Sequence, residues 1–144
     1  PTADKTKQRI GRYVEDSFVV KDRVELFVAQ NVALDGLLYP LVYETIIDDV
    51  LSSQGGTPVA MLTQFMTDWF TETRKWVDAT VKIAAAESPE NKEVMARWLS
   101  QWRDRAAAAL LPVARIALGD RSDEVLGEVV QQFNARMAKA GVAL

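Results

Sequence analysis

The chain has 144 residues, 49% hydrophobic and 26% charged, with a formal charge of -3: enough for one domain with a real core, and without the clustered Lys and Arg of a nucleic-acid surface. It contains no Cys and no His, which excludes disulfides, thiolate catalysis, Ser-His-acid triads, Glu-x-x-His metal sites and Cys-ligated zinc or iron–sulfur clusters. No apolar run approaches the roughly 20 residues that span a bilayer, and the polar start Pro1-Thr2-Ala3-Asp4-Lys5 has no signal-peptide core.

Gly and Pro are few and sit at corners, and alternating strand patterns are absent, so the spacing predicts five helices in one domain. The first covers about Asp4–Val20, with a narrow stripe of Ile10, Tyr13, Val14 and Phe18, weakened by Gly11. Asp22 is an N-cap candidate, and Glu25 three residues on makes a capping box. The second helix covers about Arg23–Ser52, with Val24, Phe27, Val28, Asn31, Leu34, Leu38, Val42 and Ile46 in period. Pro40 is expected to kink or split it near Leu37–Tyr39, and Gln54-Gly55-Gly56 to end it.

The third opens with Thr57 as N-cap and Pro58 at the first helical position. Its stripe is Leu62, Phe65, Met66, Trp69, Thr73, Trp76, Val77, Thr80, Val81 and Ala84. A sharp corner at Glu87-Ser88-Pro89 leads to the fourth, whose stripe is Met95, Trp98, Leu99, Trp102, Ala106, Ala109, Leu110, Val113 and Ala117. Pro112 is expected to bend it and Gly119 to close it. The fifth starts at Ser122 or Asp123 and shows Leu126, Val129, Phe133 and Met137; its tail, Ala140–Leu144, is expected to fray. At about 1.5 Å per residue the third helix is roughly 45 Å long. A compact globule of this chain length is only about 37 Å across, so such helices suit an elongated bundle or a larger assembly.

Few residues invite chemistry. Glu44 and Asp48 share a helix face beside Asp49, a spacing that holds a hard cation or a shared proton, but equally describes a solvated acidic helix end, the reading preferred here. Asn31 and Asp35 lie on or near the stripe of the second helix, either hydrogen-bonded in a bundle core or at the stripe's edge. Trp69, Trp76, Trp98 and Trp102, at seven- and four-residue spacing, read as packing across a helix pair or a subunit interface rather than a pocket. Arg97, Arg103 and Arg105 are the only local basic cluster and suit a surface or a protein contact. The run Ala106–Ala109 permits close helix approach. The residues alone therefore describe a non-catalytic helical bundle that packs against something, and a free-standing α-helical interaction module satisfies that description too.

The hairpin extends the reading. Trp76-Val77-Asp78-Ala79, Ala85 through Lys92, and Val94-Met95-Ala96-Arg97-Trp98 with Trp102 resemble the C-terminal region of the β subunit of bacterial soluble di-iron monooxygenase hydroxylases, which act on methane, propane, alkenes, phenol and toluene. The segment Phe27–Leu34 is similar to the long core helix of the same subunit. The resemblance implies an all-α, ferritin-like helical bundle with long antiparallel helices. It also implies a hydroxylase of α, β and γ subunits, served by a reductase and a coupling protein. Its two irons would lie in the α subunit, with no catalytic, cofactor or metal residue in this chain, as the lack of His independently suggests. Such β subunits are longer than this chain, so residues 1–144 would be the C-terminal part, packing against an N-terminal part and the α subunit. Phe65, Trp69, Trp76, Trp98, Trp102 and Phe133 are the packing candidates, and a cytoplasmic location is expected, with no nucleic-acid or membrane partner.

Overall fold

A computed structural model describes residues 2–144, and side chains from residue 8 onward; the polar start at Pro1 lies outside it. Among the described residues there are five helices and no strand. Helix α1 is Thr2–Phe18. Helix α2 is composite, running as α-helix over Arg23–Phe27 and Asp35–Leu38, and in the wider π register over Val28–Leu34 and Tyr39–Gly56. Helix α3 is Thr57–Glu87 and α4 is Pro89–Leu118. A single 3₁₀ turn, Gly119–Arg121, leads to α5, Ser122–Lys139. The chain is thus an all-α bundle of long antiparallel helices, as expected.

Local chemistry sets most boundaries. The Asp22 carboxylate accepts from the backbone N–H groups of Val24 and Glu25 at 2.8 and 3.1 Å, satisfying two orphan donors of α2. Ser88 does the same for Asn91 at 3.0 Å and opens α4. Just before its end at Gly56, α2 leaves helical geometry at Gln54 and at Gly55, where φ reaches 91°, and this kink turns the chain into α3. Gly119 closes α4 at φ 58°.

Several expectations are corrected. Thr57 is the first helical residue, not a cap; its hydroxyl turns back to Ser52. Glu25 does not complete a capping box, because its carboxylate accepts the indole N–H of Trp102 at 3.0 Å. Pro40 does not break α2: the residues beside it keep helical angles, and the widened register accommodates a residue that donates no hydrogen bond. Phe18 does not join the core; it is exposed, and its neighbour Ser17 is buried instead. The tail, expected to fray, leaves the helix after Lys139 but packs on the bundle. Gly141, at φ 92°, lets Val142 N–H reach the Met137 carbonyl and its own N–H reach that of Ala138, both at 3.0 Å. Val142 and Met137 are both fully buried.

Helix α2 runs through the middle, its first half against α4 and its second against α3, while α1 and α5 flank α4. The core joins Leu37 and Leu41 of α2, Val77 and Val81 of α3, Leu99, Trp102 and Leu110 of α4, and Phe133 and Met137 of α5. Trp102 is its pivot. Tyr13 meets it edge-on at 5.3 Å and donates its hydroxyl to the Ala29 carbonyl at 2.6 Å, tying α1, α2 and α4 together. The run Arg23–Glu87 does contain one window apolar enough, by length and composition, to cross a membrane, contrary to the sequence reading. A central helix packed on several sides has that composition for its own reason, and 44% of the window is buried inside the fold.

Candidate functional site

Helix α3 carries apolar residues on two faces. Its inner face is Phe70, Thr73, Val77, Val81 and Ala85, all buried. Its outer face is Met61, Leu62, Phe65, Trp69, Trp76 and Ile83, each more than half exposed. Those six fall within about 100° of arc and extend about 33 Å along the helix. Each indole is seated on one side only: Trp69 lies 5.7 Å from the Tyr39 ring and Trp76 lies 6.0 Å from Phe27, both of α2. The single broad stripe read from the sequence therefore divides into a core face and a free face. Phe70 and Ala85 were missed, although 70, 73, 77, 81 and 85 also keep helical spacing.

The other packing candidates lie elsewhere. Trp102 and Phe133 are core residues. Trp98 is half-buried, packed on the core beside a small cleft bordered by Asp22, Glu87 and Met95. Among the arginines, Arg103 donates to Asn134 at 2.8 Å and Asp104 at 2.9 Å. Arg105 lies over the Trp102 ring at 4.9 Å, and Arg97 is exposed. Glu44, Asp48 and Asp49 do not converge with a third ligand: among the described residues no three Asp or Glu side chains gather as a metal site. With no His in the sequence, the chain cannot supply the Glu-x-x-His pairs of a ferritin-like di-iron centre.

One polar cluster was not legible beforehand. Arg136 of α5 donates to the Asp78 carboxylate of α3 at 2.6 Å, and its guanidinium lies 6.0 and 5.9 Å from the Phe70 and Phe133 ring centres. Burial lowers the Arg136 pKa, partly offset by Asp78. Asp35 of α2 is half-buried nearby, and desolvation raises its carboxyl to about 6 despite the opposing charge of Arg136. Gly36 leaves room for Phe133, since a Cβ there would stand 3.0 Å from the ring. This cluster joins α2, α3 and α5.

Comparison with known proteins follows the same lines. The family model for methane/phenol/alkene hydroxylases matches residues 2–88. The oxygenase component DmpL of phenol 2-monooxygenase from Pseudomonas sp. strain CF600 is 48% identical over 135 residues, covering 94% of this chain and 40% of that protein. The oxygenase component MhpL of phenol 2-monooxygenase from Acinetobacter pittii strain PHEA-2 is 37% identical over 126 residues, covering 87% and 38%. The crystal structure of xenon-pressurized phenol hydroxylase from Pseudomonas sp. OX1 matches with a TM-score of 0.90 and 38% identity, covering 98% of this chain and 42% of that one. The chain thus spans about two-fifths of the length of these relatives. The bundle is ferritin-like, as the resemblance implied.

Proposed function

Because the chain belongs to the methane/phenol/alkene hydroxylase family, we propose that it is a non-catalytic β-type subunit, or the C-terminal part of one, in a multicomponent di-iron monooxygenase. The observation that carries this reading is the outer face of α3: six large apolar side chains in one line, in a chain that has no His or Cys and, among the described residues, no cluster of three carboxylates. Single exposed apolar residues are ordinary, but a continuous line of them marks a contact surface. Covering it with another subunit would stabilise the assembly by on the order of 1 kcal/mol for each half-exposed side chain.

In this reading the iron-bearing α subunit packs on that face, binds O₂ and oxidises the hydrocarbon. The chain braces the helices that carry the irons and takes no part in bond making. A γ subunit and the N-terminal part of the β subunit would complete the hydroxylase, with a reductase and a coupling protein supplying electrons and control. The relatives' phenol chemistry makes small aromatics the first substrates to test. An interaction module unrelated to oxygenases loses its ground with the family membership. Co-expression with an iron-binding α-type subunit tests the proposal: the two chains should co-purify with all iron in the partner. A chain that stays a lone monomer beside that partner would refute it.

A further inference from the structure

Helices α3 and α5 both pack on the bundle but barely meet, and they wall a groove of about 430 Å³ and, beside it, a smaller one of about 180 Å³ that shares Asp78, Arg136 and Lys139. Its walls run against the charge of the molecule. The chain is -3 overall, yet Arg74 and Lys82 from α3 and Arg136 and Lys139 from α5 line this groove against Asp78 and Glu44. Asp78 is already engaged by Arg136. Arg74, Lys82 and Lys139 form no ion pair among the described residues. Arg74 and Lys82 stand on alternate turns of α3, about 12 Å apart along the axis. The floor is aromatic, made by Phe70 and Phe133 under the guanidinium of Arg136, whose buried Nη2 lacks an acceptor.

We propose that the α3–α5 groove is a docking site for an acidic segment of a partner protein, one presenting carboxylates about two helical turns apart. Two cation rows on facing walls suit a carboxylate-bearing chain laid along the groove, because opposite charges across an interface steer encounter and fix register. The groove lies on a different side of α3 from the outer apolar face, separated by roughly half a turn, so this inference stands independently of the oxygenase reading.

The test uses the full chain and a fluorescein-labelled peptide of Glu-Ala-Ala-Ala repeats, followed by fluorescence anisotropy. Saturable binding is expected, weakened about tenfold or more by the double substitution Arg74→Glu/Lys82→Glu and unaffected by Arg9→Glu/Arg12→Glu on α1, outside the groove. The milder Lys139→Gln should weaken it in the same direction, which keeps the test valid should the double variant fold poorly by circular dichroism. Equal binding of the Gln-Ala-Ala-Ala peptide, no effect of the substitutions, or no binding at all would overturn the proposal. Displacement of the peptide by an equal concentration of inorganic phosphate would overturn it too, and would assign the groove to free anions.

Discussion

At the residue scale, two side chains carry most of what is specific to this core. Trp102 fills the junction of α1, α2 and α4, and its indole N–H is satisfied by Glu25. Trp102→Ala should cost about 3–5 kcal/mol in urea unfolding, since the cavity cannot collapse around three helices. Asp35 contributes with the opposite sign. Its carboxyl, pushed up to about 6 by burial, favours the protonated form in the folded state. A raised acid pKa means the folded chain binds more protons than the unfolded one between about pH 4 and 6, so this group's contribution falls as pH rises through that window. Asp35→Asn should therefore raise stability by about 1–2 kcal/mol at pH 7.5 and by little below pH 4. Unfolding curves at the two pH values check it; equal gains at both would show that the charge of Asp35 is not what the burial opposes.

At the element scale, much was readable because the determinants are local. Asp22 and Ser88 cap helices through contacts two or three residues away, and Gly55 and Gly119 end them with positive φ. The misreadings arose where distant parts compete for a local group. Glu25 was the reasonable capping-box residue until Trp102, 77 residues on, took its carboxylate. Beyond Val28, the buried positions of α2, such as Val32, Leu37 and Leu41, drift from the expected stripe because π register puts more residues in a turn than the helical template assumes. The Arg136–Asp78 link joins residues 58 apart and leaves no periodic trace. The tail was expected to fray because its cap depends on Gly141 and on Val142 meeting Met137. Gly141→Ala, in a left-handed conformation with open space around it, should lower stability by about 1 kcal/mol through backbone strain alone and increase amide exchange at Val142. Unchanged exchange there would show that the cap does not hold the tail.

At the scale of the whole molecule, the long hairpin shows where the sequence was informative about role and where it was not. Trp69 and Trp76 were recognisable as packing residues. Which face they would occupy was not, because helical spacing alone does not say whether one or two faces of α3 find partners inside the chain. The structure leaves the outer face open along its length, and substitutions there should separate assembly from folding. Phe65→Lys with Ile83→Lys should change the chain's own unfolding free energy by less than about 0.5 kcal/mol, these side chains being largely exposed, and should abolish co-purification with the iron-bearing subunit. Solvent accessibility of Trp69 and Trp76 in the assembled hydroxylase tests the central claim most directly. Oxidative footprinting read by mass spectrometry should find both indoles modified readily in the isolated chain and protected in the complex, with Trp102 protected in both. Equal modification of Trp69 and Trp76 in the two states would contradict the claim that the outer face of α3 is where the catalytic partner sits.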